Sequence, residues 1–305
     1  MPLSPPPTLR RAAGAALAAA LLLLAGCHNA PAPGAQAAVR IAGTVWQPDA
    51  QTLHPQGIWE RLGAKTLLVQ WTARDGYAFV EGCPGPAAAA ASPAGAPSAP
   101  VPDWGRIARE PWAGQVILGL AAHGDEASAR RSVDTLVAQS RCLAGRATPL
   151  NVTGWYFPVE VDPSWQDAAG LAKKLEGLPR PLWISAYDGG NVGPDALAAW
   201  LAGWLPADVG VFFQDGVGVH ARSAPVARDY LVALQKKLGK RRVKLIAEAF
   251  RPAPGGGFRP ATPEELVPQL ATYGGHEVFL FDGPHYVDNA LVEALRDKLV
   301  PPARR

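Results

Sequence analysis

The sequence of 305 residues has little charge, and the charge that it has is nearly balanced. Only 18% of its residues are charged, and 29 Lys and Arg against 26 Asp and Glu leave a net charge of +3. Basic residues form no long run, so the clustered basic face that nucleic acid requires is not predicted. Hydrophobic residues make up 48% of the chain, which is enough to form a sizeable core. We therefore expect a folded protein that does not bind nucleic acid.

Motifs for metals and for common cofactors are also missing. No HxH, HExxH or CxxC spacing occurs, and no glycine-rich phosphate loop with a lysine is present. The first predicted strand, 39–46, continues as TVWQPDA, so no glycine-rich dinucleotide turn follows it. The sequence therefore predicts no metal and no cofactor.

No apolar run reaches the roughly 20 residues that a transmembrane helix needs. The longest extends from Ala12 to Leu24 and follows Arg10 and Arg11, the pattern of an export signal. It ends in Leu24-Ala25-Gly26-Cys27, which resembles the bacterial lipobox, whose cysteine is acylated and becomes the new N-terminus. We expect residues 1–26 to be a signal peptide and Cys27 to carry a lipid.

The residues that follow Cys27 indicate where the anchored protein resides. Position 28 is His and not Asp, which by resemblance to the enterobacterial sorting rule favours the outer membrane, with the protein facing the periplasm. Residues 28–37 are rich in Ala, Pro and Gly and have no periodicity, as expected for a flexible tether. The prediction is a lipoprotein of the cell envelope that contacts the membrane through its lipid.

Cysteine is scarce, and its number points to a single disulfide. Export implies an oxidising compartment, and Cys83 and Cys142 remain once Cys27 is acylated. The alternative, a nucleophilic thiol, would need a histidine partner, and no Cys-His motif surrounds either residue. We therefore expect a Cys83–Cys142 disulfide.

Short apolar runs alternate with segments of helical spacing over residues 38–300. This alternation predicts parallel strands with crossover helices, and its count and length match an α/β protein of the (β/α)8 TIM barrel class, in a single domain. The runner-up is an open doubly wound sheet. An Ala/Pro-rich stretch at 83–103 indicates an insertion in a loop, and residues 301–305 a short tail. The predicted strands are 39–46, 65–71, 115–121, 152–158, 181–187, 209–214, 243–249 and 277–282.

Four of the predicted strands have a carboxylate at or just beyond their C-terminal end. In this barrel the active site lies at the C-terminal ends of the strands. Grouping acids there is costly, because like charges raise one another's pKa, and this cost favours a functional use. The four residues are Glu160, Asp215, Glu248 and Asp282.

Glu160 and Glu248, on the fourth and seventh strands, form the candidate catalytic pair. Hydrolysis of a glycosidic bond needs one carboxyl group to protonate the leaving oxygen and a second to attack or to activate water. The placement resembles glycoside hydrolase clan A, which implies that Glu160 is the acid/base and Glu248 the nucleophile. Val159 stands where clan A has an asparagine.

A second resemblance extends over nearly the whole mature chain. The segments YFPVEVD, WISAYDGGN, FFQDGVG and AEAF are similar to those of the bacterial TIM barrels grouped as domain of unknown function 4434, which are placed among glycosyl-hydrolase-like proteins. This resemblance implies the barrel fold. It implies an activity on carbohydrate only because these barrels are placed among glycosyl-hydrolase-like proteins.

Further side chains near the strand ends are expected to bind substrate. Aromatic rings stack on sugar faces, while amides, carboxylates and imidazoles bind hydroxyls. We expect a monomer that acts on a polysaccharide, and two alternatives stay open: a carbohydrate-binding barrel without catalysis, and a site in which Asp215 and Asp282 are the working acids. Besides these two acids, the predicted substrate-binding residues are Trp46, Gln70, Trp71, His123, Tyr156, Tyr187, Asp188, Gln214, Phe250, His285 and Tyr286.

Overall fold

Eight apolar runs pair in parallel and close into a barrel in the computed structural model, which describes residues 38–80, 82–83 and 101–299. Neighbouring strands follow chain order around the barrel, and the last strand pairs with the first. The predicted (β/α)8 class is thereby confirmed, and the open doubly wound sheet is wrong. The strands are β1 Arg40–Trp46, β2 Thr66–Val69, β3 Gln115–Gly119, β4 Val152–Val161, β5 Leu182–Ala186, β6 Val209–Gln214, β7 Val243–Glu248 and β8 Glu277–Phe281.

Helices alternate with the strands in the second half of the barrel, as the spacing predicts. The connection after β1 holds only a short 3-10 helix, Trp59–Leu62, and a four-residue helix precedes β3. Further 3-10 turns are Pro111–Ala113 and Lys240–Arg242. The α-helices are α1 Trp104–Ile107, α2 Glu126–Arg131, α3 Val133–Ala144, α4 Ala168–Leu175, α5 Pro194–Ala202, α6 Ala224–Leu238, α7 Pro263–Thr272, α8 Gly283–Tyr286 and α9 Asn289–Leu299.

Two small ribbons follow strand ends. Ala73–Arg74 pairs antiparallel with Tyr77–Ala78 and parallel with Ala121–Ala122. Phe250–Pro252 pairs antiparallel with Phe258–Pro260, just after β7. Both ribbons therefore extend the loops at the end of the barrel where the predicted acids lie.

Alternation along the strands produces two apolar layers. One set of side chains packs between the strands and the helices, as Ile184 and Leu245 do. The opposite set fills the barrel interior, with Phe212 edge-on to both Tyr156 and Phe279. The interior cluster consists of Val45, Leu68, Ile117, Tyr156, Phe212, Ile246 and Phe279. It separates the two ends of the barrel.

Cys83 and Cys142 form the predicted disulfide, with the two Cα atoms 6.0 Å apart. The bond links the start of the insertion to α3. The signal peptide, Cys27 and the tether to residue 37 lie outside the described residues, as do most of the insertion (84–100) and the tail. Among the described residues, no helix has the length and apolar character needed to cross a membrane.

Removing the disulfide is expected to destabilise the barrel. The bond joins residues 59 positions apart, so it restricts the unfolded chain considerably. We predict that Cys83→Ser with Cys142→Ser lowers the free energy of unfolding by about 2–4 kcal/mol in a urea titration. Wild type measured under reducing conditions should match the double variant, and a loss below about 0.5 kcal/mol would contradict the prediction.

Candidate active site

A layer of polar side chains covers the interior cluster at the C-terminal end of the barrel. Leu68 belongs to the cluster, and Gln70 follows two residues later on the same face. Phe212 and Gln214 on β6, and Ile246 and Glu248 on β7, repeat this step. Sequence alternation therefore places polar groups at one level above a closed apolar floor. We call Gln70, Glu160, Ser185, Gln214 and Glu248 the polar layer.

A strand irregularity sets the level at which Glu160 lies in the barrel. Between β4 and β5 the register shifts from Phe157 opposite Ile184 to Glu160 opposite Ser185. Pro158 lies within this step, where a proline without an N–H group is tolerated. The two extra residues keep Glu160 on the interior face, the face of Tyr156, as strict alternation would. In a regular strand Pro158 would pair with Ser185, so the bulge is the local reason that Glu160 lies level with Ser185.

Gln214 connects Glu160 to the rest of the polar layer. Its side-chain amide donates to the Glu160 carboxylate and, at 2.7 Å, to the hydroxyl of Ser185. These contacts join β4, β5 and β6 across the interior. Burial raises the pKa of Glu160 to about 7, although the hydrogen bond from Gln214 acts in the opposite direction.

Glu248 ends β7 and is only 4% exposed. Its carboxylate accepts a 3.1 Å hydrogen bond from the backbone N–H of Val219 in the loop after β6. A Cβ atom at Gly218 would lie 2.6 Å from the Cβ of Glu248, so only glycine allows the loop to come this close. Gly218, the second glycine of the QDGVG segment, therefore allows the backbone N–H of Val219 to reach the Glu248 carboxylate.

Asp215 lies against Glu248 and is completely buried. One carboxylate oxygen accepts from the backbone N–H groups of Val217 (3.1 Å) and Glu248 (3.2 Å). The other accepts from Gln269 (2.6 Å) and from the hydroxyl of Tyr273 (2.8 Å). Burial raises the pKa of Asp215, and these four donors oppose that shift by stabilising the carboxylate.

Burial and the proximity of Asp215 together raise the pKa of Glu248. Burial raises the pKa of Glu248 to about 8, the negative charge of Asp215 contributes in the same direction, and the N–H groups of Val219 and Gly218 act against it. No Lys or Arg of the described chain forms an ion pair with Glu160 or Glu248. Both candidate catalytic groups are therefore carboxyls that hold a proton near neutral pH.

Asp215, Asp188 and Asp282 do not contact the open mouth, and their predicted substrate-binding roles are corrected. All three are 0% exposed. Asp188 accepts from the N–H groups of Val192 and Gly193 and from Tyr230, which shapes the loop before α5. Scaffold donors occupy the oxygens of these carboxylates. The alternative hypothesis, in which Asp215 and Asp282 are the working acids, is therefore not supported.

Asp282 instead belongs to an ionic cluster with His285. Its carboxylate accepts from the backbone N–H of Gln47 (3.0 Å) and contacts His285 Nδ1 at 2.9 Å. Asp49 contacts the opposite ring nitrogen at 2.9 Å. The hydrogen bond to Asp282 raises the pKa of His285 to about 9, with help from Asp49 and against the effect of burial. His285 therefore joins the loops after β1 and β8 and has no ring nitrogen left for substrate.

Three of the aromatic residues predicted to contact substrate have buried rings that pack against the scaffold. Trp46 packs edge-on against Trp104, and its indole N–H donates to Thr52. Trp71 donates to the carbonyl of Pro48 and lies under the guanidinium of Arg74. Tyr156 belongs to the interior cluster. These rings form the wall and floor of the mouth.

Other aromatic residues do reach the mouth. Tyr187 is partly exposed after β5, and Arg222 lies 5.0 Å from its ring centre. Phe250 is mostly covered, since Phe258 of the second ribbon packs on it at 4.6 Å and Tyr286 at 5.2 Å. Phe258 is itself 48% exposed. Phe258 and Tyr286 therefore form an accessible aromatic surface around Phe250, just after β7.

Gln70 and His123 occupy different parts of the mouth. The amide oxygen of Gln70 is buried and accepts no hydrogen bond from any described residue. Such an acceptor is uncommon in native proteins and suits a ligand hydroxyl. His123 lies at the rim, where Nδ1 contacts Asp75 at 2.8 Å. The polar layer, not the histidines, is the centre of the site.

Sequence reasoning missed several residues on which the site depends. Ser185 is small and sits inside an apolar strand, so it gives no signal. Gln269 and Tyr273 are different, because they interrupt the apolar stripe of α7 at helical spacing from Leu266. A buried amide on an apolar helix face needs a partner, and here the partner is Asp215.

The described residues contain no group of three His, Cys, Asp or Glu side chains that could hold a metal ion.

The chain is similar to proteins of known sequence and structure at low identity. No protein-family model matches the chain. It is 28% identical over 225 residues to the uncharacterized protein YbcH of Escherichia coli (strain K12), across 63% of this chain and 71% of that protein. A solved structure titled as the chitinase from Chromobacterium violaceum ATCC 12472 is similar with a TM-score of 0.46 and 12% identity, over 87% of this chain and 100% of that one. The resemblance to domain of unknown function 4434 stays a prediction.

The raised pKa of Glu248 predicts how stability depends on pH. Glu248 ionises at about 8 in the folded protein and near its ordinary value of 4.5 in the unfolded chain. Between these values the unfolded chain has released the proton while the folded protein keeps it. Folding stability therefore falls as pH rises through this range, by about 1.4 kcal/mol per pH unit.

We predict that Glu248→Gln loses less stability than wild type between pH 5 and pH 9, as measured by urea unfolding at both values. A matched control is Glu176→Gln, an exposed position after α4, which should lose as much as wild type. Equal losses in wild type and Glu248→Gln would show that Glu248 is not held protonated.

Proposed function

We propose that the protein is a glycoside hydrolase that cleaves a glycosidic bond in a polysaccharide with Glu160 and Glu248. The observation that supports this most is the placement of two carboxyl groups in one polar layer, each with a pKa raised toward neutrality by burial. A single mouth holding one protonated and one ionised carboxyl group is the equipment that this reaction requires.

The order of ionisation assigns the roles. Burial raises the pKa of both glutamates, and Glu248 has in addition the negative charge of Asp215 against it, so Glu160 loses its proton first. Its charge then holds the proton on Glu248 more firmly. Glu248 is accordingly the general acid that protonates the leaving oxygen, and Glu160 is the nucleophile or base. This is the reverse of the order that the resemblance to clan A implies.

The surrounding groups suit a carbohydrate. Gln70 has an amide oxygen without a partner in the described chain that suits a sugar hydroxyl, and Phe258 and Tyr286 offer ring faces around Phe250, two residues after Glu248. Gln214 positions the Glu160 carboxylate through its hydrogen bond. A lipid on Cys27 would hold this mouth near the polysaccharides of the cell envelope.

A second candidate is a carbohydrate-binding barrel without catalysis. It is favoured by the lack of an ion-pair partner for either glutamate within the described part of the chain, which leaves both carboxyls neutral below pH 7 and able to donate to hydroxyls. The two candidates differ in whether any sugar is released.

Substitution of each acid separates the roles, with 4-nitrophenyl and 2,4-dinitrophenyl glycosides as substrates. Glu160→Gln should lose about 100-fold or more in kcat/KM on both leaving groups. Glu248→Gln should lose about 100-fold on the poorer leaving group and less than about tenfold on dinitrophenyl glycosides, which leave without protonation. Glu176→Gln serves as the control.

The opposite pattern would restore the clan A assignment. Wild type that binds polysaccharide but releases no sugar from any substrate would contradict hydrolysis and support the binding barrel.

The pH profile gives a separate prediction. Activity requires ionised Glu160 together with protonated Glu248, so kcat/KM should be highest between about 7 and about 8 and fall on both sides. Glu248→Gln on dinitrophenyl glycosides should lose only the alkaline limb. A wild-type optimum near pH 4 with no acid limb above it would contradict the raised pKa values.

A further inference from the structure

The N-terminal end of the barrel carries a concentration of positive charge. Two adjoining cavities of about 590 and about 360 Å³ open there and share Arg40, Trp183, Lys244 and Glu277 in their walls. Lys65 lines the first cavity, and Lys240 and Arg241 line the second. Among the described lining residues Glu277 is the one carboxylate against five cations. We call Arg40, Lys65, Lys240, Arg241 and Lys244 the basic end.

Glu277 neutralises only part of this charge. It contacts Lys244 at 2.8 Å and Arg40 at 3.6 Å. No described carboxylate forms an ion pair with Lys65, Lys240 or Arg241, and all three side chains are exposed. Burial, together with the charges of Lys240 and Arg228, lowers the pKa of nearby His276, as expected in a positive field. An excess of about four positive charges therefore faces solvent on a protein whose total is +3.

The basic end is separate from the polar layer. Lys244 and Glu248 lie on the same face of β7, four residues and about 13 Å apart. The interior cluster fills the space between them, with Phe279 beside the ammonium group of Lys244 at 5.6 Å. A ligand at one end therefore does not reach the other.

The chain enters the barrel at the basic end. β1 begins at Arg40, which is itself one of the five cations. Thirteen positions separate Cys27 from Arg40, a stretch that spans at most about 45 Å when extended. If Cys27 is acylated, its lipid is connected to the barrel through this end of the chain. Phosphate is the charged group that membrane surfaces offer to lysine and arginine.

We propose that the basic end docks on anionic phospholipid headgroups, so that the polar layer faces away from the membrane. Arg40, Lys240 and Arg241 at the rim meet lipid phosphates, and the larger cavity between them and Lys65 admits a headgroup. The inference depends on the charge distribution and on the point where the chain enters. It does not depend on the proposed hydrolase activity.

The test uses the mature chain without residues 1–26 and with Cys27→Ser, so that neither the signal peptide nor an attached lipid contributes, and measures co-sedimentation with vesicles. Phosphatidylcholine vesicles that contain phosphatidylglycerol should bind at least about tenfold more tightly than pure phosphatidylcholine vesicles. Arg241→Glu or Lys240→Glu should weaken that binding at least about fivefold. Both positions are exposed, so folding is not at risk, and circular dichroism checks it.

Arg131→Glu is the matched control, because Arg131 is an exposed residue of α2 whose charge acts on Asp125 near the opposite end. It should change vesicle binding less than about twofold. Equal weakening by Arg131→Glu and Arg241→Glu would overturn the proposal in favour of general charge attraction. Saturable binding of inorganic phosphate without any preference for phosphatidylglycerol vesicles would overturn it in favour of a soluble anion.

Discussion

The candidate site depends on the buried carboxylate of Asp215. Four hydrogen bonds hold it, and through them β6 is fixed to the backbone of β7 and to α7 by way of Gln269 and Tyr273. Burying a charge in this way is costly unless its oxygens are satisfied, which explains why three elements converge on one side chain. Burial keeps a proton on Glu248, and the negative charge of Asp215 beside it acts in the same direction. The side chain that joins these three elements therefore also contributes to the chemistry of the mouth.

The barrel also separates two electrostatic environments. Desolvated acids without cationic partners in the described chain lie at the C-terminal end, and the basic end carries cations with a single described acid among them. The apolar interior cluster isolates these environments from each other. A barrel oriented by one end would present the other toward the medium. The two proposals are independent, and both are consistent with a barrel whose C-terminal end faces away from the membrane.

The fold was predictable from the sequence, and the site only in part. The pattern of eight apolar runs of strand length is repeated along the chain, so an error in assigning a single residue does not change the predicted fold. Strand alternation and the C-terminal-end rule also identified Glu160, Glu248, Gln70 and Gln214. The rule cannot tell a residue that faces the mouth from one that faces the scaffold. Trp46, Asp188 and Asp282 end strands just as Glu160 does, but loop contacts from distant positions bury them. The bulge at Pro158 and the support of Asp215 by α7 require the packed structure.

The most direct test of this account is a carboxyl 13C NMR titration of Glu160 and Glu248 in the wild-type protein, with the Gln variants used to assign the signals. The account predicts that both groups titrate well above 4.5, Glu160 at about 7 and Glu248 at about 8. If both titrate near the ordinary glutamate value, the buried, proton-holding pair does not exist. The assignment of acid and nucleophile, and the two-carboxylate mechanism built on it, would then be wrong.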